Sequence, residues 1–137
     1  MIFENKLVAL LNKDVEPGVV MNALAHMSIG LGADVGKSLL RLDTYLDANE
    51  NAYPNISQIP FIILRGKSSE IRKTLLLARD NAIQHTVFLN TMTGGTYLEQ
   101  LDKTKNSSEE TLNFYGCVLF GPWDKVTEIT RKFSLWK

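Results

Sequence analysis

Hydrophobic and polar positions along this chain follow two periods, one near two residues and one near 3.6. Leu7-Val8-Ala9-Leu10-Leu11 is an undiluted apolar run, too short for an isolated helix, and predicts a strand covered on both faces. A polar loop over residues 12–16 follows, and Pro17 then stands where a first helical residue loses nothing by lacking an N–H. From there Val20, Ala23, Leu24, Met27 and Leu31 recur at helical spacing, which predicts a buried helix ending at Gly30 and Gly32. This strand, tight loop and helix form the unit around which the rest is built.

The pattern then changes. Leu40, Leu42, Thr44 and Leu46 alternate with Arg41, Asp43, Tyr45 and Asp47, predicting a half-covered strand toward the sheet edge. Residues 47–60 hold Asn49, Asn51, Pro54, Asn55, Ser57 and Pro60, turn and breaker residues dense enough to predict one long loop. Phe61-Ile62-Ile63-Leu64, ended by Gly66, predicts a central strand. Ser68 is placed to cap the next helix, with Glu70 near its N-terminus and Ile71, Leu75, Ala78 and Ala82 as its buried stripe. His85 to Leu89 predicts a further central strand, residues 90–96 a glycine-bearing loop and residues 97–103 a short helix before a polar connection. Residues 112–121 are strongly β in composition, and Gly116 among them marks close backbone approach or a bulge. Pro122 opens a last helix whose Val126, Ile129, Thr130 and Phe133 turn inward. Strands alternating with helices predict a single α/β domain: a three-layer α/β/α sandwich around a mixed, mostly parallel sheet of four or five strands.

Composition adds limits. A chain of 137 residues can bury roughly two thirds of its unfolded surface without a metal or disulfide. Fifteen Lys and Arg balance fifteen Asp and Glu, so no global field favours DNA or RNA, and the cationic residues Lys125, Arg131 and Lys132 on one helix exterior are read as solvated. The single Cys117 lies in an apolar run and reads as a buried small hydrophobe. No basic segment followed by an apolar core opens the chain, and no unbroken apolar run reaches about 18 residues, so neither signal peptide nor membrane partner is expected and the location expected is the cytoplasm.

Gly30 to Ser38 ends in the Gly-Lys-Ser of a phosphate-binding loop, but the glycine spacing is wrong and the stretch follows a helix rather than a strand. No group of His, Cys or carboxylates has ligand spacing, so no metal or other cofactor is expected. His26 and Asn22, four residues apart on one flank of the first helix, could point to the mouth of the sheet and handle protons or hydrogen bonds there. The loop with Thr93, Gly94 and Thr96 follows a strand at the end where open α/β sheets bind ligands. If that strand lies beside the first one, Asp14, Asn22, His26, Thr93 and Thr96 surround one depression, with Gly18 on its helical wall and residues 47–60 long enough to fold over it.

The opening unit, with Asp14, Gly18, His26 and Gly30, resembles the start of type II peptidyl-tRNA hydrolases, whose helix carries a Gln-x-Ser-His-Ala signature. Val118 to Pro122 and Ile129 to Trp136 resemble that family's end, and the chain is more similar still to an uncharacterised bacterial branch of the superfamily, a domain of unknown function. The resemblance implies the hydrolase-like sandwich and a homodimer. It also exposes departures: Pro17 and Val19 flank Gly18 where the family places a lysine, and Ala23 and Ala25 replace the Gln and Ser of the signature. Met92-Thr93-Gly94-Gly95-Thr96 replaces Asp-Ala-Gly-Arg-Thr, keeping Gly94 and Thr96 but losing the acid and the arginine. Losing a cationic anchor and a water-orienting carboxylate removes groups commonly worth orders of magnitude in rate. The expected function is therefore a small-molecule-binding or regulatory domain on a retained scaffold, with Asp14, Gly18, Asn22, Thr93 and Gly94 as ligand contacts. The alternative is a hydrolase of peptidyl-tRNA or another ester or amide that uses His26 and Thr96.

Overall fold

The structure, a computed structural model, describes residues 3–137. In chain order the elements are β1 (Asn5–Asn12), α1 (Pro17–Val35), α2 (Lys37–Leu40), β2 (Leu42–Leu46), β3 (Ala52–Ser57), β4 (Phe61–Gly66), α3 (Ser68–Asp80), β5 (Gln84–Leu89), α4 (Tyr97–Lys105), β6 (Phe114–Pro122), α5 (Trp123–Thr130) and β7 (Ser134–Leu135). Five strands form one sheet in the order β5-β6-β1-β4-β7, while β2 and β3 make a separate hairpin.

β1 is the middle strand, and every residue from Leu7 to Asn12 is buried. Successive side chains of a strand point to opposite faces, so an all-apolar strand needs a layer on each side. Leu7, Ala9 and Leu11 meet Val20, Ala23 and Met27 of α1 on one face. Val8 and Leu10 meet Ile71, Leu75 and Ala78 of α3 and Val126 of α5 on the other. The three layers are those the pattern predicts. Cys117 is wholly enclosed in the second core, and burial pushes its thiol up to about 12, leaving an inert small hydrophobe.

The sheet is mixed but not mostly parallel. β1 pairs with β4 in parallel and with β6 antiparallel, and the β5–β6 and β4–β7 pairs are antiparallel as well. β1, β4 and β5 do run the same way, but β6 enters between β1 and β5 from the opposite end. A strand covered on both faces reads the same in either direction, which is why apolar pattern alone does not reveal this. As a result β5 is an edge strand, not a central one.

Other boundaries also differ. α1 runs through Gly30 and Gly32 to Val35 and stops at Gly36, whose φ of 87° is the left-handed conformation that favours glycine. Burial of Leu31 and Val35 outweighs the roughly 1 kcal/mol that each internal glycine costs a helix. By composition this 19-residue helix, with mean hydropathy 1.2, is long and apolar enough to cross a bilayer, yet its inner stripe is part of the core beneath it. The predicted loop 47–60 contains β3, and β2 pairs with β3 rather than with the sheet. Tyr45, Leu46, Tyr53 and Ile56 are exposed on this hairpin, so it lacks the one-sided burial that makes a strand visible in sequence. The N-terminus of α3 is closed by Glu70, which accepts the Lys67 N–H at 2.9 Å, while Ser68 Oγ accepts the Phe114 N–H at 2.9 Å. Ala82 lies beyond that helix, and Thr74 takes a place in its buried stripe.

Gly116 is held by close approach. An added Cβ would lie 2.9 Å from both Leu11 Cδ2 and Met27 Cε and 3.2 Å from the Leu10 carbonyl oxygen. Gly116→Ala is expected to destabilise the domain by about 1–3 kcal/mol through overpacking, read as a lower denaturant midpoint. At the hairpin tip Asp47 accepts the Asn49 and Asn51 N–H groups, the Asn51 amide and the Tyr53 hydroxyl. The Asn51 and then the Tyr53 side-chain bonds hold its carboxyl down at about 2. A carboxyl lowered on folding stabilises the hairpin above its unfolded range near pH 4, and that contribution is lost as pH falls toward 2. Acid titration should therefore shift the amide resonances of residues 47–53 in that window, and Asp47→Asn should remove the transition.

Candidate functional site

The carboxyl end of β1 is closed rather than open. Asn12, only 2% exposed, donates from Nδ2 to the Phe114 carbonyl at 2.8 Å and to Asn113 Oδ1 at 3.2 Å, and its Oδ1 accepts the Asp14 N–H at 2.9 Å. Asn90 Oδ1 accepts the Asn113 N–H at 2.9 Å, which ties the end of β5 to the start of β6. Every polar atom of the Asn12 side chain has a partner, so this network fixes strand ends. β1 and β5 end at the same edge, but β6 lies between them, so the expectation that the two strands are neighbours is not met and Asp14 is separated from residues 91–96 by a strand.

A groove of about 580 Å³ lies elsewhere, between α1, β5 and α4. Its lining is His26 and Met27 from α1, Thr86, Val87 and Phe88 from β5, Met92 from the turn after β5, and Tyr97, Gln100, Leu101 and Thr104 from α4. None of these carries a carboxylate, ammonium or guanidinium, so the walls are apolar with a few neutral hydrogen-bonding groups. Thr86 Oγ1 donates to the Met27 carbonyl at 3.1 Å and pins β5 to α1. Across the groove, the Thr91 and Thr104 hydroxyls meet at 2.7 Å and hold α4 to the turn before it. Tyr97 and Leu101, four residues apart on α4, are exposed apolar side chains facing the gap.

His26 is the one residue of the predicted set that lines this groove. Its ring lies 6.0 Å from that of Phe88, centroid to centroid, and no hydrogen bond engages either ring nitrogen among the described residues. Thr96 caps α4: its hydroxyl accepts the Glu99 N–H at 3.2 Å and donates to Glu99 Oε1 at 3.1 Å. Thr93 Oγ1 donates to the Asn90 carbonyl at 2.9 Å, and the Gly94 carbonyl accepts the Gln100 amide at 3.1 Å. These loop residues shape the entry to α4 rather than the groove wall. Gly18 and Asn22 are exposed on α1 upstream of His26, and Asp14 is exposed in the preceding loop. Thr86, Phe88, Gln100 and Leu101 were not among the predicted contacts. The only signal for them was the spacing of Tyr97, Gln100, Leu101 and Thr104 along one side of a short helix.

With no hydrogen bond to lose and little burial, His26→Ala should change unfolding free energy by less than about 0.5 kcal/mol. Thr91→Val, which removes a buried hydroxyl bonded to α4, should cost about 1 kcal/mol. Denaturant unfolding of the two variants side by side checks both values.

The fold has a solved counterpart. A protein of unknown function, Atu0240, from Agrobacterium tumefaciens strain C58 superposes with a TM-score of 0.85 at 20% sequence identity, over 99% of this chain and 100% of that one. No curated protein matches the chain. Neither the neighbour's description nor that of the matching family names an activity. Residues 5–137 match the family described as Protein of unknown function (DUF2000), and the chain belongs to that family.

Proposed function

We propose that the groove between α1, β5 and α4 binds a small, uncharged and largely apolar ligand, and that the domain works by binding on a scaffold of the type II peptidyl-tRNA hydrolase kind. The observation that carries this is the lining: ten side chains, none a carboxylate, ammonium or guanidinium, with His26 among them and no hydrogen bond on its ring nitrogens among the described residues. A ligand that buries roughly 200 Å² of apolar surface there gains about 5 kcal/mol before the cost of association. His26 and the Gln100 amide supply hydrogen-bonding capacity that fixes orientation. The three-layer sandwich and the matching residues at both chain ends support the scaffold reading.

Hydrolysis is the weaker reading on the same geometry. A general base needs a nucleophile or water held within hydrogen-bond reach and a partner that orients it. His26 bonds to neither, and the Thr96 hydroxyl is spent on its helix cap. Val19 and Met92 stand where the hydrolase pattern has lysine and aspartate.

Titration with Nile red, a neutral apolar dye, tests the binding reading. The expected result is saturable fluorescence, weakened at least about tenfold by Leu101→Asp, which places a charge in the groove, and changed to a smaller degree by His26→Ala. Equal binding by wild type and Leu101→Asp would overturn the assignment. Incubation with labelled peptidyl-tRNA should give no turnover, and turnover lost in His26→Ala would restore the hydrolase.

A further inference from the structure

The groove reaches the free edge of the sheet. Thr86, Val87 and Phe88 are consecutive residues of a strand, and successive side chains of a strand point to opposite faces. Thr86 and Phe88 belong to the α1 side, whereas Val87 packs with the core beneath α3. A cavity that touches all three extends around the backbone edge of β5. A second depression of about 260 Å³ on the α3 side is lined by His85, Val87 and Leu89, and by Thr86 again. The two therefore meet at the β5 edge.

That edge has unused backbone hydrogen-bonding capacity. β5 pairs only with β6 among the described residues, and in an antiparallel ladder alternate residues turn their N–H and C=O away from the partner strand. Among the described residues, no backbone group outside the β5–β6 ladder bonds to the backbone of residues 84–88, and no hydrogen bond joins α4 to the strand. Gln84 to Phe88 stay in regular register with β6, the irregularity falling only between Phe88 and Leu89. Natural sheet edges are commonly guarded by lysine, proline or extreme shortness. β7, the opposite edge, is two residues long, but β5 is six residues long and carries neither lysine nor proline.

We propose that β5 receives an extended peptide of a partner protein by strand addition, with alternate side chains entering the two depressions. The proposal rests on the groove being a binding site and names its occupant. In place of water, an extended backbone at about 4.8 Å is what matches a row of donors and acceptors spaced along a strand edge. Charge sets the side chains. Those entering the α1-side groove are apolar, because its walls hold no charge. Those entering the α3-side depression are neutral hydrogen-bonding groups, because Arg79 and Glu109 both line it and pair with each other at 3.0 Å, leaving no net charge to complement.

The test is selection from a displayed random library of strand-length peptides against the full chain, with Leu101→Asp as the counter-target. Strand addition predicts enrichment of peptides alternating apolar with neutral hydrogen-bonding residues. A synthetic copy should bind wild type at least about tenfold more tightly than Leu101→Asp, lose binding when alternate backbone amides are N-methylated in one register but not the other, and slow hydrogen exchange in β5. No enrichment over the counter-target, or binding indifferent to N-methylation in both registers, would overturn it. Sedimentation as a stable dimer that no enriched peptide dissociates would overturn it too, because a second copy would then occupy the edge. If Nile red binds as above while peptides fail, the groove stands as a small-molecule site and only the strand proposal falls. If both fail, the groove is no binding site.

Discussion

Double-sided burial of β1 is the constraint on which the rest depends. Six consecutive buried residues, five of them apolar, oblige one helix layer on each face and a paired strand on each side. The polar exception, Asn12, ends the run because its amide can be fully satisfied by Phe114, Asn113 and Asp14, and that satisfaction sets the register of β6 against β1. Gly116 follows from the same contact: the side chains of Leu11 and Met27 close over β6 so tightly that a Cβ would force them to shift. Strand, crossing partner and covering helix are thus locked at one point. From there the sheet can only extend outward to β5 on one side and to β4 and β7 on the other.

Much of this was legible in the residues. Undiluted runs at Leu7 to Leu11 and Phe61 to Leu64 announce buried strands, and the stripe from Val20 to Leu31 announces the helix above them. What the residues do not encode is which strands are neighbours. An apolar run records that both faces are covered, not which edge is paired or in which sense, so the insertion of β6 between β1 and β5 was invisible. The β2–β3 hairpin was half missed for the opposite reason: it buries too little for periodicity to register, and its turn is set by Asp47 polar contacts that composition reads as loop.

The candidate site divides in the same way. His26 stood out because it is the one ionisable residue of its helix before Asp34, and the groove does open beside it. Thr93, Gly94 and Thr96 share an equally conspicuous composition, yet their hydrogen bonds are consumed within the loop and cap. Polar residues that can reach binding and turn geometry alike are indistinguishable until their partners are known. The groove itself depends on β5 being an edge and on α4 standing off from it. Both are consequences of strand order.

The two faces of the sandwich also differ in a way that bears on function. On the α3 and α5 side, Arg72, Arg79, Glu109 and Glu110 pair, and Arg131 pairs with Glu128, giving the outer surface an ordinary solvated, balanced charge. On the other side α1 has no Asp, Glu, Lys or Arg from Pro17 to Ala33 and exposes Met21 and Ile29, while α4 exposes Tyr97, Leu98 and Leu101. A helix apolar on both its inner and outer faces gains nothing in stability from the outer one, since those side chains stay in water. The groove, the β5 edge and this outer face adjoin α1; Met27 and Phe88 of the groove wall also belong to the core, while the exposed outer side chains do not. Exposed apolar side chains without a folding role are candidates for recognition, and on this domain they lie on α1 and α4, beside the proposed groove.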